Sequence, residues 1–318
     1  MSESRTLTRR FNTYPRTEIK WLWKPYLPSG KISVIQGDPG DGKTTLALAL
    51  SALLSVGQPL PETETEPILG EVLYQSAEDT VSDTLEPRLS AMGADCSKIS
   101  NISVPFNNIE KDCELLEMAI REVGAVLFVL DPLQAFIGKG NDMTRAADMR
   151  RLMSGLAVVA AKTECAVLAI GHMNKAERSK TLYRGLGSID IAASARSVLH
   201  VGRSAEDRDI RVMSHIKSSL AKEGAALAFT IGDNSTVEFI GRYDGEIGEE
   251  VMSSDDTKRE TAKDVILRML ADGSKPCTDI YAACKTAGIL SERTVDEAKK
   301  ELGVKSMRNS YGWEWGIE

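Results

Sequence analysis

The stretch Gly37-Asp38-Pro39-Gly40-Asp41-Gly42-Lys43-Thr44 constrains this chain more than any other. It follows the apolar run Ile32–Gln36 and precedes the strong helix-formers Lys43–Ser55. Glycines let a loop turn its backbone amides inward and approach an anion closely. A helix starting at the end of that loop adds the positive end of its dipole. The spacing GxxxxGK[ST] is the Walker A pattern, so the residues themselves predict a strand, a phosphate-cradling loop and a helix. In that reading Gly37, Asp38, Pro39, Gly40, Asp41 and Gly42 form the cradle. Lys43 reaches the outer phosphates, the Thr44 hydroxyl holds Mg²⁺, and Thr45 anchors the loop.

A loop of this kind needs carboxylates from neighbouring strands. Asp131 ends the apolar run Ala125–Leu130, as a metal-orienting Walker B acid does at the carboxyl end of a buried parallel strand. Glu78 and Asp79 follow the run Glu71–Ser76. Either could cap the helix beyond; Asp79 suits the cap, which leaves Glu78 to polarise the attacking water. His172 follows the run Ala166–Ile170, where a side chain could meet the γ-phosphate or the water. Asn174-Lys175-Ala176-Glu177 departs from the guanine-reading NKxD pattern in its last residue, which argues against GTP.

Helical patterns at Lys43–Ser55, Thr80–Met92, Cys113–Glu122 and Arg145–Lys162 alternate with those strands, predicting an α/β fold with a parallel sheet covered on both faces. Ser197–Val201, Ile210–Ile216 and Ala225–Ile231 follow without intervening helices and predict an antiparallel extension. Arg203 and Lys217 close two of these runs. Either is a cation that could act from a neighbouring subunit, or a surface ion-pair partner. Lys175, Arg178, Lys180 and Arg184, with Tyr183 and glycines, mark a loop suited to single-stranded DNA; Lys139 and Arg145 mark a second.

The organisation expected is a flexible segment 1–20, a core 21–242, an acidic glycine-rich linker 243–256 and a small domain 257–318. The last part reads as three short helices and a hairpin, with Ser291 capping the third helix and Asn309-Ser310 near the hairpin tip. That is a winged-helix pattern, open to DNA binding or to protein contact. Net charge is −7, from 39 basic and 46 acidic residues, which argues against a broad nucleic-acid-coating face. Five cysteines without a CxxC pair and three histidines exclude a zinc cluster and suit a reduced, cytoplasmic protein. No membrane span is expected.

Taken together, "WLWKPYLPSGKISVIQGDPGDGKTTLAL", "LYQSAED", "LFVLDPLQAF", "LAIGHMNK", "RGLGSIDIAASAR" and "IKSSLAKEG" form an ordered series. It resembles the RecA/DnaB-like P-loop ATPases, and within them the plasmid RepA-type hexameric helicases and related phage and prophage AAA-family ATPases. The resemblance implies ATP and Mg²⁺ as cofactors and a homo-oligomer, a hexameric ring, acting on single-stranded DNA in replication. It implies Glu78 as catalytic glutamate, Asp131 as Walker B acid, His172 as sensor, and Arg203 and Lys217 as cations acting in trans. Where DnaB-type proteins carry Lys-x-Arg, this chain has Lys217-Ser218-Ser219, which favours Arg203. A regulator or loader using ATP only for assembly, and a monomeric small-molecule kinase, are the competing readings.

Overall fold

The structure is a computed structural model. It describes residues 8–63, 66–138, 146–172, 189–245, 262–263, 265–270, 273–287, 289, 291–309 and 312–316. The chain divides into two compact units, Met1–Ile247 and Gly248–Glu318.

The first unit opens with a short antiparallel pair, β1 (Trp21–Trp23) and β2 (Leu27–Pro28). Then come β3 (Ile32–Gly37), α1 (Lys43–Ser55), β4 (Glu71–Ser76), α2 (Glu86–Ala91), β5 (Ile99–Ser100) and α3 (Ile109–Val123). After them run β6 (Ala125–Asp131), α4 (Ala146–Thr163), β7 (Ala166–His172), α5 (Ile189–Ser194) and β8 (Ser197–Arg203). The unit closes with β9 (Ile210–Ser218), β10 (Leu227–Ile231) and β11 (Val237–Arg242). Nine strands form one mixed sheet in the order β11-β10-β9-β8-β3-β7-β6-β4-β5.

Strand alternation splits the apolar residues between two cores. Val34, Phe128, Leu130, Val167 and Ala169 face a cluster with Leu116 and Ile120 of α3 and Leu152 and Leu156 of α4. Ile35, Leu127, Val129, Leu168 and Ile170 face the other, with Leu46, Leu50 and Leu54 of α1. Because both faces of the central strands are covered, their sequences read as continuous apolar runs rather than as alternation. Trp23 and Tyr26 close the α1 face near β1 and β2. The Trp23 indole donates to the Pro61 carbonyl at 2.8 Å, and the Tyr26 hydroxyl to that of Ala225 at 2.8 Å.

The antiparallel extension differs in detail from the sequence expectation. β8 runs parallel to β3, from Ser33 opposite Ser197 to Gln36 opposite His200. Direction first reverses between β8 and β9. Helix α5 precedes β8, so the chain enters that strand from a helix, as a parallel strand requires. The apolar-run reading also misses β11, in which half-buried and exposed residues alternate as on a sheet with one solvated face. The helix expected over Thr80–Met92 is a wide π-type turn, Val81–Leu85, followed by α2. Pro87 stands in the first turn of α2, where a missing amide hydrogen costs nothing.

The second unit holds α6 (Cys277–Thr286), α7 (Glu292–Glu301) and a three-stranded antiparallel sheet. Its strands are β12 (Lys275–Pro276), β13 (Lys305–Asn309) and β14 (Gly312–Gly316), in the order β12-β14-β13. Residues 265–270 are helical. Ile266, Ile280, Cys284, Val295 and Trp315 meet in its own core. The Ser291 hydroxyl accepts the Thr294 amide at 3.4 Å, the N-cap arrangement expected there. Among the described residues, no helix is long and apolar enough to cross a membrane.

Phe128 is fully buried and meets Phe106 edge-on, with ring centroids 6.5 Å apart. Phe128→Ala is expected to destabilise the first unit by about 3–5 kcal/mol, read as a fall in the urea midpoint of that unit's transition.

Candidate functional site

The parallel strands β3, β7, β6 and β4 end at one edge of the sheet, and the expected site residues stand along it. Gly37 at the end of β3 is in register with His172 at the end of β7. Ser76 at the end of β4 is in register with Asp131 at the end of β6. The Ala77 amide donates to the Asp131 carbonyl at 2.9 Å, so the chain leaving β4 is tied to β6 just before Glu78.

The loop from Gly37 to Gly42 needs its glycines. A β-carbon at Gly37 would stand 2.1 Å from the Val201 carbonyl oxygen of β8. Gly42 sits at φ +94° and caps α1 in a left-handed conformation, with no side-chain cap for the helix amides. Most helices in such a position recruit a Ser, Asp or Asn side chain. Here the first-turn amides of α1 are left for a ligand, and no acid stands in that turn to repel an anion.

Lys43 is buried, and its ammonium donates to the Gly37 carbonyl at 2.8 Å and the Asp38 carbonyl at 2.7 Å. Burial lowers its pKa; Asp41, Asp38, Asp131 and Glu78 pull it back up. All four acids therefore lie within electrostatic reach of the ammonium. The Thr44 hydroxyl donates to Asp131 Oδ2 at 2.8 Å, and Thr45 is half-buried in the first turn of α1. Thr44 and Asp131 offer hard oxygen donors side by side, which fits Mg²⁺ shared with a phosphate better than a softer metal. No group of three or more His, Cys, Asp or Glu able to hold a metal occurs among the described residues.

Glu78 is exposed at the strand edge. The Ser76 hydroxyl accepts the amides of Glu78 at 3.3 Å and Asp79 at 3.0 Å. Asp79 does not cap the turn that follows: Thr80 holds the N-cap position without a side-chain bond. The Asp79 carboxylate instead pairs with Arg88 at 3.6 Å. The His172 backbone lies in β7, and its side chain is outside the described residues. Lys139, Arg145, Lys175, Arg178, Lys180 and Arg184 also lie outside the described residues.

The two cations expected to work across a subunit boundary occupy different places. Arg203 ends β8 beside its own chain's loop, with its guanidinium 3.5 Å from Asp41 and donating to the Gly40 carbonyl at 3.2 Å. Lys217 lies in β9 opposite Val198, near the start of β8 and so at the sheet edge away from the loop. Its ammonium donates to the Ala192, Ala193 and Ala195 carbonyls at 2.6, 3.0 and 2.8 Å, closing the end of α5.

Two residues of the site escaped the sequence reading. The Tyr74 hydroxyl, buried in β4, donates to Asp131 Oδ2 at 2.9 Å, the same oxygen that the Thr44 hydroxyl meets. Its pKa is raised well above the ordinary phenol value by burial and by Asp131. A hydroxyl in the middle of an apolar strand is the signal that could have found it. His200 in β8 is buried, and its Nδ1 has no hydrogen-bond partner among the described residues. Burial, then the Lys43 charge, lower its pKa to about 4.

The folded state therefore keeps His200 neutral, while the unfolded chain protonates near pH 6.5. Above that pH both states are neutral and the group contributes nothing. As pH falls from about 6.5 to about 4 the unfolded state gains a proton the fold refuses, and stability falls by up to about 3 kcal/mol. His200→Gln is expected to flatten that part of the stability–pH curve, measured by urea unfolding at several pH values. An unchanged slope counts against this placement.

Residues 2–178, more than half of the chain, match the AAA_25 family model, described as an AAA domain. Over 150 residues the chain is 29% identical to the DNA repair protein RadA of Halalkalibacterium halodurans and 30% identical to that of Bacillus subtilis. Each match covers 46% of this chain, and the chain spans 28% of each relative's length. Among solved structures, the RadB recombinase aligns with a TM-score of 0.47 at 17% identity, covering 67% of this chain and 91% of that one.

Proposed function

From the premise that this chain belongs to the AAA-domain family and is a RecA-like P-loop ATPase, we propose that it hydrolyses ATP as an oligomeric motor on DNA. The specific reading is a RepA-type helicase or translocase working as a hexameric ring on single-stranded DNA in plasmid, phage or prophage replication. The observation that carries the chemistry is the Thr44–Asp131 contact of 2.8 Å, beside a Lys43 ammonium already turned onto the loop. Relatives named as DNA repair proteins support a DNA partner. The basic loops around Lys139 and Arg145, and around Lys175, Arg178, Lys180 and Arg184, are assigned to that strand from their composition.

Each residue has a stated task. The free amides of α1 and the Lys43 ammonium take up the negative charge of the phosphates. Mg²⁺, when bound, would neutralise phosphate oxygens and stabilise the charge that develops on transfer. Thr44 and Asp131 hold its side of the site, with Tyr74 orienting the carboxylate. Glu78, at the exposed strand edge, orients water for attack on the terminal phosphate, and His172 reads the γ-phosphate. The helices and hairpin of the second unit support a winged helix.

Lys43→Ala is expected to abolish ATP binding. Glu78→Gln is expected to bind ATP and turn it over at least about 100-fold more slowly, measured by phosphate release. Unchanged release in Glu78→Gln removes that residue from the mechanism. Phosphate release with and without single-stranded DNA, beside the particle mass, tests the motor. Stimulation by the strand in a ring-sized particle supports it. ATP-dependent assembly without strand-stimulated turnover replaces it with a loader or regulator, and full turnover in a monomer replaces it with a kinase-like enzyme.

A further inference from the structure

An acid inside a phosphate-binding loop is a physical oddity. Asp41 directly precedes Gly42-Lys43, so its carboxylate stands near the place where the phosphate chain must lie. Like charges in a partly buried site repel strongly. The geometry shows what this acid does. One carboxylate oxygen accepts the Asp38 amide at 3.1 Å, closing the loop across its own base. The other lies 3.5 Å from the Arg203 guanidinium, which also donates to the Gly40 carbonyl at 3.2 Å. The Asp41 side chain is largely buried and that of Arg203 about one-third exposed, so the pair is only partly screened by water.

The position of Arg203 is set by the sheet. β8 lies beside β3 on the side away from β7, β6 and β4, the strands that end at His172, Asp131 and Ser76. Arg203 therefore meets the loop from the flank opposite the hydrolytic carboxylates. Behind it, Arg203 faces Arg211 of β9 across the antiparallel pair. Arg211 is tied by donations to the Arg208 and Asp209 carbonyls, both at 2.8 Å. Two cations directly opposite one another destabilise a strand pair unless an anion serves them. Asp41 is that anion.

We propose that Arg203 is a positioning residue acting in cis: it braces the phosphate loop through Asp41 and the Gly40 carbonyl, and it cancels the Asp41 charge so that a nucleotide triphosphate can enter. The inference rests on ATP occupying this loop. Its consequence is a split between affinity and rate. Losing Arg203 leaves an unneutralised carboxylate beside the phosphates, which weakens binding. It removes nothing that acts on the attacked phosphate, so saturated turnover is affected little.

The test uses the full-length chain as wild type, Arg203→Gln, Asp41→Asn and the double variant. Thermal melting verifies folding, and a fluorescent ATP analogue with steady-state phosphate release gives the readouts. Arg203→Gln is expected to raise both the Kd for the analogue and the KM for ATP about tenfold, with kcat changed less than twofold. Asp41→Asn keeps an acceptor for the Asp38 amide while removing the charge. Added to Arg203→Gln it is expected to restore affinity to within about twofold of wild type. The Kd change must also be independent of protein concentration.

Unchanged affinity in a folded Arg203→Gln overturns the brace. So does lost kcat at unchanged KM, or weakened binding that Asp41→Asn fails to restore. Should the Arg203 variants melt early, Asp41→Asn alone decides: binding weakened tenfold or more overturns the proposal, and binding at least as tight as wild type supports it. Wild-type protein that ignores the analogue as fully as Lys43→Ala does would sink the ATPase reading itself, a result distinct from failure of the brace.

Discussion

The Thr44–Asp131 hydrogen bond joins two residues 87 positions apart and marks the point on which the site depends. One partner opens the helix after the loop, and the other ends a strand two places along the sheet from β3. The bond forms only if β3, β7 and β6 are parallel and in register, so that their carboxyl ends come level. Burial of both sheet faces enforces that register, because a one-residue slip would exchange the residues of the two cores. The stability of the hydrophobic layers is thus converted into placement of a hydroxyl and a carboxylate.

That edge is electrically uneven. Lys43 and the uncapped amides of α1 supply positive potential, and Asp131, Asp41, Asp38 and Glu78 surround it with acid. Two of these acids are held by neutral donors or a cation. Tyr74 and Thr44 hold Asp131, and the Asp38 amide and Arg203 hold Asp41. Carboxylates held in this way keep their orientation when the phosphate charge arrives, the condition for electrostatic preorganisation.

Local patterns carried much of this architecture. The strand reading over Glu71–Ser76 and the helix reading over Lys43–Ser55 coincide with the structure, because continuous apolar runs and unbroken helix-formers have few alternatives. Reading failed where polar residues belong to an element, as in β11, or where a helical pattern begins as a wide turn, as before α2. Asp79 illustrates a further limit. Its position suited a cap, but Arg88 one turn into the following segment offered an ion pair and took the carboxylate.

The sequence by itself determined the chemistry of the loop: glycines where no β-carbon fits, a lysine at the helix start, and an acid at the end of a buried strand. These follow from steric and periodic rules acting within a few residues. Tertiary structure decided which side chains reach that chemistry from elsewhere. Tyr74 came to Asp131, His200 came to rest within the field of Lys43, and Arg203 came to Asp41 of the loop. The physical reason is distance along the chain. Arg203 and Gly40 are separated by 163 residues, and only the pairing of β8 with β3 brings them together.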